Sequence, residues 1–331
     1  MKIAFISSWK TACGIATYTE KFKKEYEKLG HTVTVIDKLD PISVIEGCLR
    51  EKPDIVHIQH EFGLFQNIPN FISLCGKLKQ LGFKVFVTLH TEMDEFLWGL
   101  DGLVDGILLH NDSFDYTKYK LLSKFKRIAH PCPVFEELKP IRTELGIPED
   151  SFVIGTCGFI AEGKKIDGIL KGLGEFLREN NNVFVHLATT QHKNDNGYAK
   201  NVWLKNIQLL AMQHQFHDRL LINLNFLSFE ELYRRIQTFD LAFVYAPPDA
   251  KSNSGVLTDL VGNGVPCVVN ESIHFSHIDV GKYVCDNVPE GIQQLYYDRD
   301  LYTTTKNSIK DLFTFEQSAE IILNWYQEER N

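Results

Sequence analysis

The chain has 331 residues, 44% of them hydrophobic and 24% charged, with a net charge of −8. That length suits two ordinary α/β domains rather than one, and the acidic balance excludes a general nucleic-acid coat, which needs clustered Lys and Arg. The seven cysteines are odd in number and form no C-x-x-C pair, which excludes a disulfide frame or zinc ribbon and points to free thiols in a reducing, cytoplasmic setting.

In chain order, short apolar runs alternate with amphipathic ones. Strands are expected at 2–7, 32–36, 54–59, 84–89, 104–109 and 126–129, with helices at 15–29, 42–51 and 68–81. The stretch 130–150 carries four of the eleven prolines and reads as an extended connector. The alternation then restarts, with strands at 152–157, 183–188, 219–224, 240–245, 265–269 and 282–285 and helices at 166–179, 198–215, 229–238 and 255–263. Thr314 and Gln317 have the spacing of a capping box for a last helix, 315–329. Strands that are nearly continuous in apolar residues, separated by helices, form parallel sheets covered on both faces. The fold class is therefore α/β, with two Rossmann-like doubly wound domains. The expected division is a first domain over 1–135, a linker over 136–150, a second domain over 151–313 and a closing segment over 314–331. The opening MKIAFISS is too short for a signal peptide, and no run approaches the roughly 20 apolar residues of a membrane span. Any membrane contact would be peripheral.

Ligands of open parallel sheets sit beyond the carboxyl ends of the strands, so the residues that follow each strand carry the chemistry. Gly14 follows the first strand and opens a helix, either as a tight turn or as an approach for a phosphate. His60 and Glu61 end the third strand and His90 the fourth, where polar groups either face a ligand or stabilise a loop. In the second half, Gly158 follows a strand and Lys164 or Lys165 comes shortly after, which suits a diphosphate held by backbone donors and one ammonium. Ser254 and Gly255 open a helix whose free N–H groups suit an anion, and Asp259, a turn further in, can accept ribose hydroxyls. There is neither a G-x-G-x-x-G fingerprint nor a phosphate-binding G-x-x-x-x-G-K-[ST] loop, which argues against a dehydrogenase.

The segments CGIATYT, HIQHEFGLF, VTLHT, GFIAEGKKID and SNSGVLTDLVGNGVP resemble, in order and across nearly the whole chain, the retaining glycosyltransferase family 4 with the GT-B fold. The resemblance implies an interdomain cleft and a metal-independent retaining transfer of a hexose or pentose from a nucleoside-diphosphate sugar to an acceptor hydroxyl. Lys164 would neutralise the diphosphate, Ser254, Gly255 and Val256 would offer it backbone donors, Gly14 would lie near the donor phosphates and His90 would contact the transferred sugar. Asp259 falls where the family usually has a ribose-binding glutamate, and the last helix would cross back to the first domain. The sequence departs from the family twice. Phe159 and Ala161 stand where an arginine is usual, and Lys251 stands where a glutamate is usual, with Asp249 close but out of register.

No cofactor and no metal site is expected, since the twelve histidines lack ligand spacing. Asp298–Arg299–Asp300, formally a D-x-D, lies between late helical segments and reads as solvated surface. The basic, aromatic run 116–127 is either a snorkelling helix face or a patch for an anionic acceptor such as lipid phosphate, polymer or modified DNA. Two alternatives stay open: a same-fold nucleotide-sugar epimerase and a catalytically silent nucleotide-sugar-binding module.

Overall fold

The computed structural model describes every residue except 12, 92–98, 101, 111–123, 135–137, 139–140, 192–196, 199–201, 249, 251–252 and 330–331. One compact unit takes in Met1–Pro131 and Phe313–Asn331, and a second takes in Cys132–Ala250 and Ser254–Leu312. In chain order the first half holds β1 (Lys2–Ile6), α1 (Gly14–Lys28), β2 (Thr32–Ile36), α2 (Pro41–Glu51), β3 (Ile55–His60), α3 (Ile68–Gln80), β4 (Lys84–Leu89), β5 (Gly106–Leu109) and β6 (Phe125–Arg127). There follow β7 (Phe152–Phe159), α4 (Ile166–Gly172), α5 (Gly174–Glu179), β8 (Val183–Thr190), α6 (Leu204–Gln213), β9 (Leu220–Asn223), α7 (Phe229–Ile236), β10 (Leu241–Val244), α8 (Gly255–Gly262), β11 (Cys267–Asn270), β12 (Lys282–Cys285), α9 (Val288–Tyr297), α10 (Arg299–Asn307) and α11 (Phe315–Glu328).

The first unit is a six-stranded sheet in the order β2-β1-β3-β4-β5-β6, every pair parallel. One face carries Val56, Ile58, Val85 and Val87 under α2 and α3, through Val44, Cys48, Phe71 and Leu74. The other carries Phe5, His57 and Phe86 under α1 and α11, through Tyr18, Phe22, Tyr26, Trp325 and Tyr326. The capping box that opens α11 is formed by Thr314 and Gln317, and the helix is pinned by a hydrogen bond between Tyr326 and His57. Gly106 makes room for it, because a Cβ there would collide with the Trp325 ring and lie 2.7 Å from Phe86. Gly106→Ala is expected to cost about 1–3 kcal/mol by overpacking, seen as a lower urea midpoint. An unchanged midpoint would mean that α11 does not depend on this seat.

The second unit is also six-stranded, in the order β12-β11-β10-β7-β8-β9, and again parallel throughout. The described part of the expected connector belongs to this unit and is fastened to it. Arg142 donates to the carbonyls of Ser151 and Thr238 and pairs with Asp240 at 2.8 Å. The helix expected over 166–179 is broken at Leu173, between Gly172 and Gly174. Those glycines admit close neighbours: a Cβ on Gly172 would be 2.7 Å from Pro289, and one on Gly174 would be 2.5 Å from His214. Strand β11 starts at Cys267 rather than 265, since Pro266 has no N–H to give the ladder and instead accepts from Ala242 at 2.9 Å. Asp298 caps α10 through Leu301 N–H and is exposed, as are Arg299 and Asp300. No helix among the described residues is long and apolar enough to cross a membrane.

Both sheets reverse their winding once. In the first, β2 lies to one side of β1 and β3 to the other; in the second, β8 and β10 flank β7. The ends of β1 and β3, and of β7 and β10, are therefore where each unit can open a crevice for a ligand.

Candidate functional site

In the second unit the sequence elements that suggested a diphosphate converge at the β7/β10 reversal. Gly158, next to last in β7, has φ +92, a conformation that side chains resist. A Cβ there would lie 2.7 Å from Val256 Cγ2 and 3.1 Å from Lys164 Nζ. The strand end, the first turn of α8 and the lysine ammonium are thus packed around one point. Lys164 is half-buried, and no carboxylate pairs with its ammonium among the described residues. Burial holds its pKa below the ordinary lysine value, with the Cys157 sulfur opposing. The Cys157 thiol is pushed up to about 12 by burial, Asp259 adding to the rise and Lys164 opposing it, so Asp259 belongs to the same neighbourhood.

The start of α8 is built to leave donors over. Ser254 is buried and its Oγ accepts from Leu257 N–H at 3.1 Å, capping its own helix. Thr258 N–H reaches Ser254 O at 3.2 Å. The N–H groups of Gly255 and Val256 have no acceptor among the described residues, and the helix dipole adds partial positive charge to them. Ser254 caps the helix, and Gly255 and Val256 offer free donors at its start. Asp249 and Lys251, which bear on the expected departures, lie outside the described residues, as does most of the basic run 116–127.

In the first unit, Gly14 is exposed at the start of α1, and a Cβ there would meet nothing. Cys13, the residue before it, gives α1 no side-chain cap, so this helix too starts with unclaimed donors. His90 follows β4, is half-buried, and pairs its Nε2 with Gln59 Oε1 at 2.9 Å. With that oxygen accepting, Nε2 carries the proton and Nδ1 keeps its lone pair. The ring stands edge-on to Tyr18 at 4.8 Å, and Tyr18 also meets His110 and His130. Burial, then the nearby histidines, hold the His90 pKa well below its usual value. It is a neutral hydrogen-bonding group, suited to a hydroxyl rather than to pairing with a phosphate.

Of the two roles open to His60 and Glu61, facing a ligand or stabilising a loop, Glu61 takes the second and His60 neither. His60 is fully buried, stacked on Phe65 at 5.7 Å and tilted against Phe71 at 4.6 Å; it is a core residue on the α2/α3 face and presents nothing to a ligand. Glu61 ties two loops together, accepting from Phe62 N–H at 3.0 Å and Thr91 Oγ1 at 2.8 Å. Gln59, which the sequence also sets at this strand end, orients His90; lying one residue before His60, it is on the opposite sheet face. Sequence reasoning passed over Tyr18, one helical turn after Gly14. Among the described residues no group of three or more His, Cys, Asp or Glu gathers to hold a metal ion.

Two parallel six-stranded sheets with flanking helices, each with its reversal point, place the chain in the GT-B class of α/β fold. HepE of Anabaena, solved in complex with UDP-glucose, matches with a TM-score of 0.68 at 12% identity over 98% of this chain and 100% of its own. The catalytic domain of starch synthase IV from Arabidopsis thaliana, bound to ADP and acarbose, matches with a TM-score of 0.68 at 10% identity over 99% of each chain. A putative UDP-N-acetylglucosamine 2-epimerase from Listeria monocytogenes gives 0.61 at 13% identity over 97% of this chain and 94% of its own. At these identities the likeness is one of fold. No protein-family model and no curated protein matches the sequence.

Proposed function

We propose that the protein is a metal-independent, retaining glycosyltransferase that moves a sugar from a nucleoside-diphosphate donor to an acceptor hydroxyl. The observation that carries this reading is the meeting of Gly158, Lys164 and the open N–H groups of Gly255 and Val256 at the β7/β10 reversal. When the bond between the anomeric carbon and the diphosphate oxygen breaks, that oxygen gains negative charge. An ammonium and two fixed amide donors stabilise it without reorganising. The glycine lets Lys164 and the start of α8 approach the end of β7 closely. Asp259 is proposed to accept the ribose hydroxyls, and neutral His90 of the first unit to hydrogen-bond the transferred sugar, with the acceptor bound by that unit. UDP-glucose and ADP, the ligands of two fold neighbours, are of the class this site would take.

Calorimetry with UDP, ADP and GDP, followed by incubation with the matching nucleotide-sugars, tests the reading. One diphosphate is expected to bind equally well with EDTA present, and its sugar to be transferred with its anomeric configuration kept. The fold shared with a 2-epimerase favours one rival, which would convert the donor with no acceptor present. Binding without turnover on any acceptor would make the chain a silent binding module. Failure of all three diphosphates to bind would overturn the assignment.

A further inference from the structure

We propose that Lys165 and Tyr245 form a latch across the β7/β10 reversal that holds Lys164 where it meets a diphosphate; the identity of that ligand rests on the transferase reading. After β7, Glu162–Lys164 make a single tight turn, and Lys165 adopts φ 46 and ψ 32. This is the left-handed region, in which a non-glycine residue sits only where its surroundings hold it there. The turn sends the two neighbouring lysines apart. Lys164 runs back to Gly158, and Lys165 places its ammonium 4.7 Å from the centre of the Tyr245 ring. A cation over an aromatic face is attracted by the ring quadrupole, and no carboxylate pairs with Lys165 among the described residues.

Tyr245 is a fixed post. It follows β10 directly, and the next residue, Ala246, is held on both sides by Asn270: its N–H donates to Oδ1 at 3.0 Å and its carbonyl accepts from Nδ2 at 2.8 Å. Pro247 is tied in turn by Ser272 Oγ at 2.8 Å. Gly163 faces Pro247, since a Cβ there would lie 3.8 Å from the proline ring. The turn that carries Lys164 is therefore held to the β10 end by Lys165 against Tyr245, with Gly163 facing Pro247. Lys165 acts through Lys164 and is a positioning residue.

The test begins with ligand-free protein. The pH profile for acetylation of the Lys164 amine by acetic anhydride, read by mass spectrometry, reports the surroundings of that amine. Tyr245→Leu and Lys165→Gly are expected to move its midpoint up towards an ordinary lysine, as the turn swings into water. Tyr245→Phe keeps the ring face and Lys165→Arg keeps the cation, so both should leave the midpoint in place. The second arm is calorimetry with UDP and ADP. Each latch-breaking variant is expected to weaken binding about fivefold, the scale of one exposed cation–π contact, and the double variant to be no worse than either single one. An unmoved midpoint in both single variants, or additive losses in the double, would overturn the latch. If wild-type protein binds neither nucleotide nor any other diphosphate, the transferase reading falls, while the labelling arm still decides the latch.

Discussion

Lys164→Met is expected to slow sugar transfer by about 10²–10³-fold, the usual cost of removing one preorganised charge-stabilising donor, while leaving the fold as stable as before or more so. The two effects have one cause. In the ligand-free protein the ammonium is half-buried, has no carboxylate partner among the described residues and is held below its ordinary pKa by desolvation. A charge so placed burdens the folded state, and an unbranched apolar side chain of similar length relieves that burden. Only an incoming anion turns the burden into a gain. The same variant should therefore lose the rise in melting temperature that UDP or ADP gives the wild type, since that rise follows from binding to the folded state alone. A purely structural Lys164 would give the reverse pattern, a lower melting temperature with activity falling in proportion. Unchanged turnover would remove it from the proposed site altogether.

Much of this site can be read from the sequence because its parts are local. Strand, glycine, lysine, helix over 152–170 and strand, loop, Ser254–Gly255, helix over 240–263 are each continuous, and the parallel topology brings their ends together at the β7/β10 reversal. Strand positions could be read for a related reason: buried parallel strands such as β3, covered on both faces, are apolar runs that stand out from their polar surroundings. The same property hides which face a residue takes. All six residues of β3 are buried, so no alternation of polar and apolar marks Gln59 as turned towards His90 and His60 as turned into the α2/α3 core. That distinction needs to know which helices cover which side, and α11, which covers the His57 and Gln59 side, comes from the far end of the chain. The pairing of Lys165 with Tyr245 was hidden likewise, for it links two loops that meet only once the sheet has formed.

Acidification from neutrality to about pH 5 is expected to remove most of the protein's stability, with four histidines as the main cause. His57, His60, His110 and His186 are each at most 2% exposed. Desolvation is the first cause of the drop in pKa at all four, to about 3 for His57 and His186 and to about 4 for His60 and His110. Arg235, beside His186, adds to its drop, and His110 adds to that of His57. Their bonds also assume the neutral form. His110 Nδ1 donates to Ile128 O at 2.8 Å, which leaves Nε2 to accept from Tyr18 Oη at 2.7 Å, and a proton on Nε2 would abolish that acceptor. The unfolded chain takes up these protons at about pH 6.5, well above the folded values. Stability is therefore intact above that pH and falls as pH drops towards 4, by about 1.4 kcal/mol per unit for each histidine. At about pH 5 the four together remove about 8 kcal/mol, against a total of about 5–15 kcal/mol for a typical domain. Carboxylates held low by their partners, such as Glu51 and Glu231, begin to count only below about pH 4.5, so the two windows separate. Urea midpoints measured across this range should fall steeply from about pH 6.5, and His110→Gln should flatten the slope by about a quarter. A midpoint that holds steady to about pH 4.5 would mean that these imidazoles reach water before they are protonated.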